Sequence, residues 1–201
     1  ASFGTQTLTV TGQRDAFIGK WDASGNLIWV QQAGGKDEDY ASAITLDPSG
    51  NPIVLGTFRS ATAEFGGITL TNQYARDYNS LFLAKFDAAG HGLWAQQVSG
   101  GSTYDLAGVQ TDALGNIYFV ACMARFARFG VTNLTGYEDI LVAKYDADGN
   151  CIWARQAGGN GYDYGQGIAV TPTGFVYVTG TFEKTAPFGS LSVTSRGSSD
   201  L

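Results

Sequence analysis

An internal repeat constrains the fold of this chain more than any other feature of its sequence. Three segments are nearly alike and read, in chain order, DAFIGKWDASGNLIWVQQAGG, SLFLAKFDAAGHGLWAQQVSGG and DILVAKYDADGNCIWARQAGG. A second set follows at the same spacings of 65 and 59 residues and reads ASAITLDPSGNPIVLGTF, GVQTDALGNIYFVACM and GIAVTPTGFVYVTGTF. A short Phe-Gly element also recurs, at Phe3, Phe65, Phe129 and Phe188. Three independent elements in one phase predict a repeat architecture.

Each repeated element alternates with a period of two residues, as β-strands do, and none shows an apolar stripe at helical spacing. The elements are rich in β-branched and aromatic residues. Five related turns separate paired strands and begin at Asp22, Asp47, Asp87, Asp112 and Asp146, with Gly three residues on. Asp accepts backbone hydrogen bonds in such turns, and Gly supplies the positive φ of the return. The sequence therefore predicts an all-β fold with four antiparallel strands in a unit of about 62 residues.

Composition narrows the class of protein further. Gly accounts for 28 of 201 residues and charged residues for 15%, and the 4 Pro stand among many branched and aromatic residues, which excludes collagen and disordered chains. The 12 Lys and Arg are scattered singly and outnumbered by 18 Asp and Glu, so nucleic acid is not an expected partner. The apolar runs are too short to span a membrane. No charged, apolar leader precedes Ala1, so a signal peptide is expected to be absent or removed.

One extended pattern runs through the repeats: Asp-x-Phe-x-x-Lys-x-Asp-x-x-Gly, Trp, Gly-Gly, Asp-Tyr and Gly-Asn-x-Tyr-x-x-x-Gly. It is carried by Asp15, Lys20, Asp22, Gly25, Trp29, Gly34, Gly35, Asp39 and Tyr40, by Lys85, Asp87, Gly90, Trp94, Gly100, Gly101, Asp105, Gly115, Asn116 and Tyr118, and by Asp139, Lys144, Asp146, Gly149, Trp153, Gly158, Gly159, Asp163, Tyr164, Gly174, Tyr177 and Gly180. The pattern resembles the bacterial SBBP family, the β-propeller repeat. Departures are Ser80 in place of Asp, Ala121 in place of the strand-end Gly, and a long insert at 61–79.

The resemblance implies a β-propeller of four-stranded blades in large secreted or surface-displayed bacterial proteins, and it supplies no catalytic residue. We therefore expect a single repeat domain at 1–201, within a larger propeller or assembly. Its expected parts are an outer half-blade at 15–35, blades at 39–101 and 102–159, and an incomplete blade at 160–201. About three repeats cannot close a ring, because closed propellers use four to eight blades. Other copies of the chain, or additional repeats of it, are therefore expected partners, in a number that the sequence leaves open.

Asp39, Asp105 and Asp163 recur just after the Gly-Gly corner of each repeat. One interpretation is a ring of carboxylates around a channel, able to hold a cation. The favoured interpretation is that each Asp accepts backbone hydrogen bonds and holds a tight loop. A position that recurs in every repeat is what a structural requirement produces.

Asp146 and Asp148 resemble the start of a calcium loop, which needs oxygen ligands at alternate positions. No other repeat has Asp at the position of Asp148, and no Glu completes a twelve-residue loop. The segment is therefore expected to be a hairpin turn, with calcium binding as the alternative. The glycine-rich run at 158–165 is expected to be a β-corner, because phosphate loops precede a helix and none is predicted here.

Aromatic residues recur at two kinds of position. The strand residues Trp29, Trp94 and Trp153 are expected to pack in the core between repeats, with an exposed sugar-stacking ladder as the alternative. The corner residues Tyr40, Tyr104, Tyr162 and Tyr164 are the better candidates for contacts with sugars.

His91 and the two cysteines each replace another residue of the repeat. His91 replaces the turn Asn found at positions 26 and 150, so it is expected to be a solvated turn residue. Cys122 and Cys151 are too few for a disulfide framework or a Cys-rich zinc site, and we expect two thiols, with a single bridge left open.

The leading functional hypothesis is a non-enzymatic, extracellular or cell-surface structural, adhesive or filament-forming module. It includes no catalytic, cofactor-binding or metal-binding residue and no cofactor. The alternative is a glycan-binding or glycan-processing propeller whose site lies in the central channel or in variable loops such as 73–79 and 104–106. Surface glycans are the partner that this alternative implies, and a carboxylate pair for glycoside hydrolysis stays open within it.

Overall fold

The computed structural model describes residues 1–73, 78–99 and 103–197, with the backbone alone at 99 and 103–105. These residues form twenty strands, paired in antiparallel sheets, and contain no helix. The all-β prediction is confirmed. The structure thus follows the period-two pattern and the turn residues of the sequence.

A complete repeat contains three hairpins, which we call leading, short and trailing. The leading hairpins are β5 (Asp39–Leu46) with β6 (Pro52–Phe58), β11 (Thr103–Thr111) with β12 (Ile117–Met123), and β17 (Tyr164–Val170) with β18 (Val176–Thr181). The short hairpins are β1 (Ser2–Phe3) with β2 (Gln6–Thr7), β7 (Thr62–Phe65) with β8 (Ile68–Thr71), β13 (Phe126–Phe129) with β14 (Thr132–Thr135), and β19 (Thr185–Phe188) with β20 (Leu191–Thr194). The trailing hairpins are β3 (Ala16–Trp21) with β4 (Leu27–Gly35), β9 (Ser80–Phe86) with β10 (Gly92–Ser99), and β15 (Asp139–Tyr145) with β16 (Cys151–Ala157).

Leading and trailing hairpins of one repeat combine into a four-stranded sheet. The strand orders are β5-β6-β9-β10 and β11-β12-β15-β16, so β6 pairs with β9 and β12 pairs with β15. The short hairpin lies outside the sheet of its own repeat. Instead, β7 pairs with β4 of the preceding repeat through Ala33–Gly35. The segment at 15–35, which the sequence predicts as a hairpin alone, is therefore extended by β7 and β8, because the long strand β4 offers an edge to β7.

The central strands of these sheets are buried on both faces. Every residue of β6 and of β12 is buried, whereas the edge strand β8 alternates between half-buried and exposed residues. A central strand has a neighbour on each edge, and adjacent sheets cover both of its faces. One hydrophobic core, which includes Leu55, Phe119 and Leu141, lies between the sheet β5-β6-β9-β10 and the sheet β11-β12-β15-β16. A second, with Phe58 and Phe82, lies between the first of these sheets and β3–β4.

The first strands of the three leading hairpins lie side by side, in the order in which they occur along the chain. Strand β11 lies between β5 and β17, and the hydroxyl of Thr111 donates to the carbonyl of Leu46 at 2.8 Å. Among the described strands, β3 pairs only with β4 and β18 only with β17. In the described part of the chain, β3 therefore lacks the neighbour that β9 has in β6, and β18 lacks the neighbour that β6 has in β9.

Candidate functional site

The Gly-Gly corners join each trailing hairpin to the next leading hairpin, and Asp39 and Asp163 are buried there. Oδ2 of Asp39 accepts a hydrogen bond from the amide of Gly35, and Oδ2 of Asp163 accepts one from the amide of Gly159, both at 2.7 Å. Each Oδ1 accepts from an amide twenty residues further on, at 3.1 Å. The predicted role as backbone acceptors is confirmed at both positions. The side chain of Asp105 lies outside the described residues.

A second aspartate converges on each of these two corners. A Cβ atom added at Gly158 would lie 2.5 Å from Oδ1 of Asp139 and 2.8 Å from Oδ2 of Asp163. Oδ1 of Asp139 has no hydrogen-bond partner, and the same is true of Oδ1 of Asp15 at the first corner. Burial and the neighbouring Asp163 both raise the pKa of Asp139, against a hydrogen bond from a glutamine amide. This carboxyl pair is closed to solvent, so it does not face a polymeric substrate.

The five Asp-x-x-Gly turns share one hydrogen-bond pattern. Oδ1 of Asp146 accepts from the amides of Asp148 at 3.0 Å and Asn150 at 2.8 Å, and Oδ2 accepts from the side chain of Asn150 at 2.9 Å. In the turn at Asp87, Nδ1 of His91 lies 3.0 Å from Oδ2 in place of the amide. Both segments are therefore hairpin turns, as predicted. Nowhere in residues 1–73, 78–99 and 103–197 do three His, Cys, Asp or Glu side chains group to hold a metal.

Two of the repeated tryptophans tie one trailing hairpin to the turn of the next. The indole N–H of Trp29 donates to the carbonyl of Ala88 at 3.1 Å, and that of Trp94 donates to the carbonyl of Ala147 at 3.2 Å. Both rings are half-buried and pack against the two hydrophobic cores. The prediction of packing between repeats is confirmed for this pair. Trp153 is half-buried too and lies against the ring of Tyr118.

The two cysteines do not form a disulfide. Cys122 is buried in β12, and Cys151 is exposed at the start of β16. The expectation of two thiols holds, although their burial differs.

An exposed cluster of aromatic and acidic residues lies at the third corner, between β16 and β17. We call it the tyrosine–glutamate corner, and it consists of Tyr137, Glu138, Tyr162, Tyr164 and Glu183. The rings of Tyr162 and Tyr164 are within 4° of parallel with centroids 6.5 Å apart, and the ring of Tyr137 lies 5.7 Å from that of Tyr162. The phenol of Tyr164 donates to Oε2 of Glu138 at 2.6 Å, and this bond raises the pKa of Tyr164 above its ordinary value. The amide of Tyr162 donates to Oε2 of Glu183 at 3.4 Å.

The sequence identified only part of this cluster. Tyr162 and Tyr164 were candidates for contacts with sugars, whereas Tyr137, Glu138 and Glu183 were missed. The first corner differs, since the phenol of Tyr40 there accepts a hydrogen bond from an arginine. Comparing residues at equal offsets in the repeat would have revealed the missed members of the cluster. The side chain of Tyr104 lies outside the described residues.

An apolar groove of about 630 Å³ opens between β3 and β5. Phe17, Trp21 and Ile44 are exposed large side chains in its lining. In the next repeat, β6 fills the corresponding space, since it pairs with β9 and contacts β11. The groove is therefore the place where β3 lacks the neighbour that β9 has.

Comparison with known proteins supports the repeat interpretation. The model of a family described as beta-propeller repeat, SBBP, matches residues 152–181, which cover most of β16 and all of β17 and β18. An uncharacterised WD repeat-containing protein of Acanthamoeba polyphaga mimivirus is 27% identical to this chain in an alignment 201 residues long. The alignment covers 85% of this chain and 14% of the viral protein. The chain thus spans a small part of that relative's length.

These findings define the class of the protein as an all-β repeat module similar to the β-propeller repeat. The two matches do not include a bacterial relative, so the bacterial source is implied by the resemblance alone. Among the described residues, no helix has the length and apolar character needed to cross a membrane.

Proposed function

We propose that this chain is a non-enzymatic structural module that joins β-propeller repeats by pairing the edge of β18 with the edge of a β3 strand. The β3 strand belongs to another copy or to a further repeat of the same chain. The observation that carries the proposal is that β18 and β3 lack the partners that β6 and β9 have in each other, so their open edges are the two halves of a junction that occurs twice inside the structure. Sheet edges left unpaired are sites of strand addition.

The internal junctions define the register of this pairing. Gly56 of β6 lies opposite Phe82 of β9, and a Cβ atom added at Gly56 would lie 2.4 Å from the Phe82 ring. In the same register, Gly180 of β18 lies opposite Phe17 of a β3 strand. Phe17 is half-exposed in this chain, so its ring is available to cover Gly180.

The Trp contacts support the same arrangement. Trp29 and Trp94 each donate to the turn of the following trailing hairpin, and the ammonium groups of Lys20 and Lys85 reach the same two carbonyls. Trp153 occupies the equivalent position in the last trailing hairpin. If a β3–β4 hairpin paired with β18, its turn at Asp22 would stand where Trp153 meets a carbonyl in the repeated geometry.

The proposal includes two arrangements of copies and a location. Two copies that pair at both edges would form a six-bladed ring, whereas serial pairing would give a filament. The location outside the cell, and an adhesive role there, rest on the family resemblance. Surface labelling of intact source cells tests the location directly.

Light scattering of the 201-residue chain tests the pairing. We expect the chain to associate at micromolar concentration, and we expect Phe17→Arg and Val178→Arg each to weaken association because a charge would be buried at one edge. Each of these variants keeps the opposite edge intact, so their mixture should form a dimer and nothing larger. Val131→Arg, at a fully exposed residue of a short hairpin, is the matched control and should associate like the parent.

A parent chain that stays monomeric at these concentrations would refute the pairing. The same holds if folded Phe17→Arg and Val178→Arg variants associate as strongly as Val131→Arg. Thermal unfolding of each variant shows whether it is folded, and the mixing experiment needs only one intact edge from each partner.

A further inference from the structure

The first and third corners carry different chemistry at equivalent positions. Arg14 and Tyr40 are bonded across 26 residues, as are Glu138 and Tyr164. The backbone contacts are also the same, because the amide of the corner aspartate donates to the carbonyl of Arg14 at the first corner and of Glu138 at the third. The third corner therefore has an acidic residue where the first has an arginine.

At the first corner the chain supplies its own cation to the aromatic ring. The guanidinium of Arg14 lies 5.9 Å from the centroid of the Tyr40 ring and donates to the Tyr40 hydroxyl at 2.8 Å. Nε of the same arginine lies 3.8 Å from the carboxylate of Glu38. Arg59, at the position of Glu183, brings a second positive charge to this corner. The tyrosine ring and the carboxylate of the first corner thus already contact a cation of the same chain, Arg14.

At the third corner, carboxylates stand at the positions of the two arginines of the first corner. Glu138 stands at the position of Arg14 and Glu183 at that of Arg59, while Tyr162 replaces Glu38. The ammonium of Lys184 is nearby, and it donates to a backbone carbonyl at 2.9 Å. Neither Glu138 nor Glu183 forms an ion pair with a described residue.

Three tyrosine rings and two carboxylates form the recognition chemistry of an organic cation. Tyr faces attract ammonium and guanidinium groups, and a nearby carboxylate adds charge-assisted hydrogen bonds. Tyr137 and Tyr162 are exposed, so a ligand can reach the rings from solvent. The hydrogen bond from Tyr164 holds the Glu138 carboxylate at the hydroxyl end of the Tyr164 ring.

We propose that the tyrosine–glutamate corner binds a guanidinium or alkylammonium cation, such as an arginine or methylated lysine side chain on an exposed basic segment of a partner protein. The inference is independent of the strand pairing, because it concerns a corner inside the chain. The Phe17→Arg variant, for which we expect weakened association, can therefore serve as the background for its test.

The probes are N-acetyl-arginine methylamide, tetramethylammonium chloride and N-acetyl-citrulline methylamide, titrated by NMR or tyrosine fluorescence. Citrulline has the shape of arginine without its charge, so we expect saturable binding of the two cations and at least a tenfold weaker response to citrulline. We expect Glu183→Gln and Tyr162→Leu each to weaken cation binding by about fivefold or more. Tyr40→Leu, at the first corner, should leave it unchanged.

A variant that places a positive charge inside the corner provides a further test. Glu138→Arg places a guanidinium beside Tyr164, as Arg14 lies beside Tyr40, and should abolish binding of the external cation. Equal binding of arginine and citrulline would overturn the proposal, as would cation binding that survives in Glu138→Arg and Tyr162→Leu. Binding of a neutral oligosaccharide that Tyr162→Leu removes, without binding of either cation, would also overturn it and would assign the corner to glycans.

Discussion

The buried carboxyl pair at the third corner predicts opposite effects for one chemical change at two neighbouring residues. Oδ2 of Asp139 accepts from the side-chain amide of Gln156, whereas Oδ1 has no partner and points toward Asp163. In Asp139→Asn, the new oxygen keeps the bond from Gln156, and the new amide replaces an unpaired acceptor beside a carboxylate. The substitution therefore removes a buried unsatisfied acceptor and a like-charge contact together.

The expected result is a more stable protein at neutral pH. A buried acceptor without a partner costs about 1–3 kcal/mol, so we expect Asp139→Asn to raise the free energy of unfolding by about 1–2 kcal/mol. For a chain of this length, 1 kcal/mol corresponds to a shift in Tm of about 2–4 °C. Urea unfolding at several pH values, with thermal unfolding alongside, measures both quantities.

The pH dependence has a definite sign. Because the pKa of Asp139 is raised in the folded state, the folded protein binds more protons than the unfolded chain between the ordinary pKa of Asp and the raised one. Stability of the parent therefore falls as pH rises through this window. The advantage of Asp139→Asn should grow through the same window and level off above it.

The control is the same change at the other carboxyl group. Asp163 accepts from the amides of Gly159 and Glu183, so Asp163→Asn turns an NH₂ group toward one of these donors. We expect a loss of about 1–3 kcal/mol. Destabilisation by Asp139→Asn at neutral pH, or equal stabilisation by both substitutions, would refute this account of the corner.

Three further predictions concern the repeated contacts. Trp94→Ala should cost about 3 kcal/mol, at the low end for a large side chain because the ring is half-buried, and Trp153→Ala should cost less in urea unfolding, since its indole N–H makes no hydrogen bond to a described residue. Lys85→Met should cost about 3 kcal/mol at neutral pH, because the ammonium group of Lys85 lies 2.9 Å from the buried carboxylate of Asp47. Burial opposes ionisation of Asp47, but hydrogen bonds from Lys85 and Asn51 lower the pKa of Asp47 to about 2. The cost of Lys85→Met should therefore shrink as acid protonates this carboxyl group. Millimolar calcium should leave Tm unchanged, because the carboxylate of Asp146 is already bonded within its turn, and a rise that a chelator reverses would contradict this.

The hairpins and their turns were predictable from the sequence because their determinants are local. An Asp-x-x-Gly turn is closed by hydrogen bonds within five residues, as at Asp146, and its Gly has positive φ at Gly149. The role of Asp39 was predictable for a related reason, since a repeated position implies a repeated backbone contact. These features depend on residues that are near in sequence or equivalent in the repeat.

The contacts between repeats were decided only by the tertiary structure. The sequence did not indicate that β7 would pair with β4 of the preceding repeat, or that β6 and β12 would be buried on both faces. The change from Arg14 to Glu138 can be read from equivalent positions of the repeat, but only the structure shows that each side chain bonds the tyrosine of its corner. Local pattern determines whether a segment is a strand, but its lateral neighbour is selected by packing between residues distant along the chain, which the period-two signal does not encode.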